Sequence, residues 1–393
     1  MNRESHQVRR VGVIGGGQLA WMMAAGANAL NIELSVQTPG ADDPACAIAH
    51  RTILGPIADA DVTAQLSAQC DVITFENEFI DLPALKKLEA QGTVFYPQLD
   101  CLAPLLDKYD QRQYCDRIGL PSPPFETLQS ERDLSVLKEK VEQVGLPLAL
   151  KTRRHGYDGQ GTFILETLNA VETTWQQLGY QPVLLEAFVD FEKELAVMVA
   201  RSQTGEVVVY PVVETEQIDQ VCRRVIAPAR LAESVTNEVR AIATDLVNSL
   251  GVVGIFGIEL FLTQSGQVLV NEIAPRTHNS GHYTLDACAT SQFEQQLRAV
   301  SGLPLTDSKL TAPGAVMINL LGTENADSGS GSKQADKLNR LKTLPDTYVY
   351  WYGKKQSRVG RKMAHVTVLT DSSNDDRAVA DIVQRIESLW YET

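Results

Sequence analysis

Residues 257–276 read GIELFLTQSGQVLVNEIAPR, two strand-like runs about a short polar turn, and the geometry of such a hairpin constrains this chain more tightly than any other stretch. With Ser265 and Gly266 as a two-residue turn, Glu259 falls directly opposite Glu272. Side chains opposed in this way have β-carbons about 4.5–5.5 Å apart, where like charges destabilise the pair. The neighbours Ile258, Leu260, Val270 and Ile273 are apolar, so water is scarce and a cation is required between the acids. Mg2+ suits the place, because it takes one or two carboxylates and completes its shell with substrate phosphate oxygens. One added residue in the turn would send the two acids to opposite faces.

The segment that follows, APRTHNSGHYT, sets Arg276, His278, Asn279, Ser280 and His282 within seven residues. Donors this dense beside a metal site point to a substrate anion, with His278 the better candidate and His282 equally readable as a structural histidine. A second cationic stretch, KTRRHGYDGQG at 151–161, combines three cations with three glycines. Its glycines allow a tight backbone that presents N–H groups to phosphate, although the lysine leads the motif and no Walker A loop is present. A third, YGKKQSRVGRKMAH, gathers Lys354, Lys355, Arg358, Arg361 and Lys362 in nine residues and suits a phosphate monoester.

These cations matter because the whole chain of 393 residues carries a net charge of −14. Such a balance argues against sequence-independent binding to nucleic acid or an anionic membrane, so an anionic substrate must meet a local basic patch. No apolar run approaches the roughly 18 residues of a membrane span, and the N-terminus is too short and polar for a signal peptide, which gives the expectation of a cytoplasmic protein. The six cysteines are scattered without a C-x-x-C pair and read as thiols.

Over 10–104, strand-like RVGVIG, IELSVQT, CDVITFE and TVFYP alternate with helical patterns over 18–30 and 82–91, the signature of a parallel sheet flanked by helices. A helix around LLDKYDQRQYCDRIG stops at LPSPPF. From Pro121 to about Leu303 strands dominate, with two helices interposed, each ending at glycine. The last unit contains NADSGSGSKQAD, read as a mobile loop, then strands YVYWYG and MAHVTVLT and a final helix over 376–389.

RVGVIGGGQLAWMM places Gly15, Gly17 and Ala20 in the G-x-G-x-x-A pattern of a dinucleotide turn, which raises an NAD-dependent oxidoreductase as an alternative. That site needs a carboxylate about 20 residues on, where this chain has Gln37. The loop therefore reads as a strand-to-helix turn whose N–H groups are able to face a phosphate.

Taken in order behind VGVIGGGQL, the stretches KTRRHGYDGQG, LLEAFVDFEKELAVMV, GIELF with VLVNEIAPRTHNSGHYT, and YGK with GRKMAH resemble the 5-(carboxyamino)imidazole ribonucleotide synthases, ATP-grasp enzymes of purine biosynthesis. The resemblance covers nearly the whole chain and implies an α/β and α+β, three-domain ATP-grasp fold. Its units would be an N-terminal Rossmann-like (preATP-grasp) domain over 1–105, an ATP-grasp domain over 106–305 and a small β-rich C-terminal domain over 306–393. It further implies a homodimer that uses ATP and Mg2+ to join bicarbonate to 5-aminoimidazole ribonucleotide, with a hand-off of product to a mutase. A formate-dependent ATP-grasp ligase is the nearest alternative activity.

By the same resemblance, Lys108 and Lys151 hold ATP phosphates, and a loop comprising Gly156, Tyr157, Asp158, Gly159, Gln160, Gly161 and Thr162 closes over them. Glu186, Ala187, Phe188 and Val189 hinge the adenine, Glu194 takes the ribose, and further nucleotide contacts fall at Gln217 and Asn271. Glu259 and Glu272 bind Mg2+. Tyr157, Asp158, Arg276, His278, Asn279, Ser280, Arg361, Lys362 and either Lys354 or Lys355 surround the second substrate and bicarbonate. Glu76 and the turn with Gly17, Gln18 and Leu19 form the amino-terminal wall.

Overall fold

Strand and helix patterning over the first hundred residues resolves into a parallel four-stranded sheet, ordered Arg51–Leu54, Glu33–Thr38, Arg10–Ile14 and Val72–Phe75. The structure is a computed structural model and describes residues 8–154, 161–323, 326–327, 332–371 and 376–391. Two expectations shift here. The helix expected over 18–30 divides at Met23 into Gln18–Met22 and Ala24–Leu30, and TVFYP contributes only a single bridge from Phe95 to Ile73 instead of a strand. The strand Arg51–Leu54 and helix Ala60–Ser67 are additions whose short or partly polar runs gave little periodic signal.

A four-stranded antiparallel sheet follows, ordered Phe125–Leu128, Val183–Ala187, Leu148–Thr152 and Thr162–Leu165. Helices Leu137–Val144 and Leu168–Gln177 bury Leu137, Val141, Val171 and Trp175 against it. The middle of the chain therefore holds more helices than the two expected, since Leu168–Gln177 and Gln292–Val300 join Leu137–Val144 and Glu233–Leu250. Glu233–Leu250 presents Val239, Ile242, Ala243, Leu246 and Val247 to the largest core and ends at Gly251, whose φ of 63° relieves the left-handed cap of any Cβ strain.

That core lies against a nine-stranded sheet that begins at Val268–Ala274 and runs through Gly254–Thr263, Phe191–Arg201, Val213–Ile218 and Val221–Ala227, with Val207–Val209 also pairing to Phe191–Arg201. The C-terminal strands Gly314–Leu321, Lys362–Thr370 and Thr347–Trp351 continue this same sheet, with Gly314–Leu321 pairing directly to Val221–Ala227. Helices Ser332–Lys342 and Asp376–Tyr391 close over that end around Leu341, Ile386 and Trp390. NADSGSGSKQAD is thus not wholly a loop: its end starts a helix, and Ala326–Asp327 pairs with Gln356–Ser357, while the rest lies outside the described residues. None of the six cysteines forms a disulfide. Among the described residues no helix is long and apolar enough to cross a membrane.

Candidate active site

The hairpin carries Glu259 opposite Glu272 as expected, by a different route. Thr263 N donates to Gln267 O and Gly266 N to Thr263 O, so the loop has three residues, with Gly266 at φ 82°. Pairs nearest the turn are therefore offset by one, Leu260 facing Val270, until a bulge at Asn271 absorbs the extra residue and restores the Glu259–Glu272 opposition. The same bulge leaves Asn271 and Glu272 both only partly buried while Val270 and Ile273 enter the core. Glu259 likewise stays partly accessible between buried Ile258 and Leu260.

Charge is arranged around this pair. Lys108 Nζ lies 2.9 Å from Glu272 Oε1, and Lys151 Nζ lies 2.5 Å from Glu186 Oε2 and 3.2 Å from Asn271 Oδ1. Burial opposes ionisation of Glu272, yet Lys108, then Lys151 and His278, outweigh it and hold its pKa below the usual value. Glu259 goes the other way, to about 7, because burial and repulsion from Glu272 and Glu194 outweigh the more distant Lys108 and Lys362. Two opposed oxygen donors of which one is driven to bind a proton are what a hard divalent cation would relieve, so the donor set fits Mg2+. Glu194 is also raised to about 7 by burial, eased by the Gln217 amide.

Lys108 opens the helix Lys108–Arg117, which starts there because Asp107 caps it by accepting from Tyr109 N and Asp110 N. Asp107 also pairs with Arg153, 2.8 Å away, and Lys108 N donates to Arg153 O, which ties the helix to the end of the Leu148–Thr152 strand that carries Lys151. Behind Lys151, the fully enclosed Glu186 is shared with Arg112 Nε. Burial would raise Glu186, but Arg112 and Lys151 prevail and lower it to about 2. Glu186 is therefore an anchor for Lys151 and Arg112 through its side chain. Ala187 N and Phe188 N donate to Pro124 O and Pro147 O, and the Phe188 ring is half-exposed. Gly161, at φ 81°, and Thr162 resume the strand that pairs with Lys151. Gly156, Tyr157, Asp158, Gly159 and Gln160 lie outside the described residues.

On the opposite wall, the Gly15–Gly17 turn faces a carboxylate of this chain. A Cβ on Gly17 would lie 2.3 Å from Glu76 Oε1, and one on Gly15 2.6 Å from Glu76 Oε2. Burial raises Glu76 to about 7 against the pull of Arg276, Asn77 and the Leu19 amide. Glu76 thus lies against the turn, with the Leu19 amide just beyond it as a donor, where a phosphate is the sequence expectation. Gln37 is fully buried, donating to Pro56 O and Asp59 O and accepting from Thr63, so it cannot serve a cofactor ribose and the oxidoreductase alternative loses its second requirement.

Arg276 Nε lies 2.8 Å from Glu78 Oε1, joining the 276–280 segment to the Glu76 wall. His278 stands between the two walls, with Nε2 3.7 Å from Glu259 Oε1 and Nδ1 2.9 Å from Ser280 Oγ. Buried Gln292 accepts from His278 N and donates to His278 O, fixing the backbone there. Ser280 supports the His278 ring, and Asn279 exchanges amide hydrogen bonds with Asn319 of the C-terminal strand. His282 is structural, fully buried beside Phe293 and His365 with Nδ1 on Gln292, and burial drives its pKa well below the usual value.

The two C-terminal lysines part company. Lys354 Nζ lies 5.2 Å from the centre of the Tyr352 ring and donates to Lys362 O, whereas Lys355 is exposed and pairs with Asp42 at 2.6 Å. Arg361 donates to Gln356 O at 2.7 Å, and Lys362 opens the strand whose field reaches Glu259. Arg112, Gln111, Gln292 and Asn319 are site residues that the sequence pattern does not single out. The one available signal was the helical spacing of Lys108, Gln111 and Arg112, which puts them on one face.

Three family models match in tandem: a ribonucleotide synthetase preATP-grasp domain over 8–104, an ATP-grasp domain over 113–293, and a phosphoribosylaminoimidazole carboxylase C-terminal domain over 315–378. An N5-carboxyaminoimidazole ribonucleotide synthase from Synechococcus elongatus is 51% identical over 98% of this chain and 96% of its own. The crystal structure of the Thermotoga maritima N5-carboxyaminoimidazole ribonucleotide synthetase superposes with a TM-score of 0.83 at 38% identity, covering 96% of this chain and 97% of that one. An Aspergillus clavatus N5-carboxyaminoimidazole synthase in complex with ADP and 5-aminoimidazole ribonucleotide gives 0.87 at 30% identity, covering 98% and 100%. With the three domains in the same order, and with paired glutamates and paired lysines meeting at one crevice, the chain belongs to the N5-carboxyaminoimidazole ribonucleotide synthases, ATP-grasp ligases of purine biosynthesis.

Proposed function

We propose that this chain carboxylates 5-aminoimidazole ribonucleotide with bicarbonate and ATP through a carboxyphosphate intermediate, with the residues of the crevice dividing the work. The observation that carries the reading is the convergence of Lys108, Lys151, Glu259 and Glu272 with His278 and Arg276. Bicarbonate is a poor electrophile because hydroxide would have to leave. A bicarbonate oxygen that takes the γ-phosphoryl group, as the bond to the β-phosphate oxygen breaks, gives carboxyphosphate and ADP. The ribonucleotide amine then attacks the carboxyl carbon, phosphate leaves with the C–O electron pair, and the amine loses its proton.

Phosphoryl transfer calls for positioned positive charge more than for a nucleophilic side chain. Lys108 and Lys151 supply it, and the Glu186–Arg112 anchor keeps Lys151 in place. Glu259 and Glu272 would hold Mg2+, which neutralises phosphate charge when bound. Glu194 with Gln217 suits the ATP ribose, and Ala187, Phe188 and Val189 suit the adenine. Glu76, the Gly17–Leu19 turn, Arg276, Lys354, Arg361 and Lys362 suit the second nucleotide, and His278 sits at the meeting point for bicarbonate and amine. Tyr157 and Asp158 are assigned there on the family resemblance alone. A homodimer, a cytoplasmic location, a hand-off of the labile product to a mutase, and domain limits at 1–105, 106–305 and 306–393 complete the proposal.

The test is ADP release with 5-aminoimidazole ribonucleotide, with bicarbonate, with formate, and with neither. Bicarbonate alone should support turnover, and Glu272→Gln should abolish it. Turnover with formate, or unchanged turnover in Glu272→Gln, refutes the assignment.

A further inference from the structure

Among the described residues Val268–Ala274 is the terminal strand of its sheet, so its outward N–H and C=O groups have no neighbouring strand there to bond. They are bonded all the same, by the helix Lys108–Arg117 and the chain just after it. Gln111, 3% exposed, donates from Nε2 to Ile273 O at 2.9 Å and accepts from Ile273 N at 2.9 Å. One side-chain amide thereby reproduces the double hydrogen bond of a closely spaced antiparallel pair. Arg112 donates to Asn271 O, and Val270 N donates to Pro121 O at 2.8 Å.

The peptide planes on either side of the Glu272 α-carbon are the ones held. The Asn271 carbonyl belongs to the plane before it and the Ile273 N–H to the plane after it. Because a peptide is planar, fixing both planes fixes φ and ψ of Glu272 and the direction of its side chain. The bulge that brings Glu272 opposite Glu259 is therefore stabilised from outside the sheet, at the residue where it must not slip. Lys108, on the same helical face, meets the carboxylate so placed.

We propose that Gln111 is a positioning residue for the divalent-cation site: its amide sets the backbone of Glu272 and with it the geometry of the carboxylate pair. This rests on the assignment of Glu259 and Glu272 to Mg2+ made above. A group that merely fills space would affect stability alone. One that positions a ligand alters cation affinity, commonly about 10–100-fold for a residue behind the ligands.

The full-length protein is titrated with Mn2+ in the presence of ADP, free Mn2+ being read by electron paramagnetic resonance, and hydrogen exchange is followed in the peptide containing 268–274. Gln111→Leu should weaken Mn2+ binding roughly tenfold or more and speed exchange in that peptide, with KM for the ribonucleotide within about twofold of wild type. Gln111→Glu keeps the size and the acceptor for Ile273 N but loses the donor to Ile273 O, so it should fold and shift both readouts in the same direction. Wild-type Mn2+ affinity in Gln111→Glu, with Glu272→Gln defective, overturns the positioning role and leaves the cation site standing. Wild-type affinity in Glu272→Gln overturns the cation assignment itself.

Discussion

Glu259 is placed for a ligand at a cost to the fold, and Glu259→Gln should expose that cost. Burial and the facing Glu272 raise its pKa from the ordinary 4.5 to about 7, while its side chain keeps 22% exposure. At about 1.36 kcal/mol per pKa unit, the ionised group opposes folding by about 3 kcal/mol, reduced to about 2 where solvent screens it. Because this pKa is higher in the folded than in the unfolded chain, the penalty is full above pH 7. It fades as the folded protein takes up its proton between pH 7 and 4.5, and vanishes below. Glutamine removes the charge, so Glu259→Gln should be more stable than wild type by about 2–3 kcal/mol at pH 8, a melting-temperature rise of roughly 2–4 °C for a chain of this length, and the difference should shrink steadily toward pH 5. The same substitution should abolish turnover, and Mg2+ with ADP should raise the melting temperature of wild type far more than that of the variant. Thermal melts across pH 5–8 decide the matter. A variant less stable than wild type at pH 8, or a difference that does not change with pH, refutes the electrostatic account of the pair.

Gly17→Ala forces a methyl group to 2.3 Å from Glu76 Oε1, so the carboxylate must leave its place on the turn. KM for the ribonucleotide should rise roughly tenfold, equivalent to about 1.4 kcal/mol, with KM for ATP unchanged in steady-state kinetics. Lys355→Ala removes only an exposed pair with Asp42, worth about 0–1 kcal/mol, and should leave KM for the ribonucleotide within twofold, whereas Lys354→Ala should raise it. Arg112→Met strands the enclosed Glu186 with Lys151 as its one remaining charged partner of the two, and denaturant unfolding should show a loss of about 3–5 kcal/mol.

The hairpin illustrates what a sequence can and cannot reveal. A two-residue turn at Ser265 and Gly266 predicts the opposition of Glu259 and Glu272, and the opposition holds although the loop is one residue longer, because the bulge at Asn271 compensates. Alternation along a strand reports which face a residue occupies, but a loop residue and a bulge residue that cancel leave the alternation near the acids intact. Those residues were legible because their chemistry is local: charged or glycine-rich groups at spacings set by one turn or one strand. Gln111, Gln292 and Asn319 were not, since a buried amide gains its meaning only from a backbone or a second amide that is distant in sequence, Ile273 for Gln111 and Asn279 for Asn319.

The Gly15–Gly17 turn carries this one step further. Its spacing is that of a dinucleotide site, and its backbone does form a tight turn into a helix, with Gly15 at φ 118°. What redirects it is Glu76, arriving from the end of the neighbouring parallel strand Val72–Phe75 to fill the space beside Gly15 and Gly17. A carboxyl group in that space takes up the room a pyrophosphate needs and is able to accept from hydroxyls, so the turn suits a ribose where its sequence pattern suits a pyrophosphate. Glu76→Gln, which keeps the shape and removes the charge, should therefore weaken ribonucleotide binding, while NADH still fails to bind in a fluorescence titration because buried Gln37 offers its ribose no carboxylate.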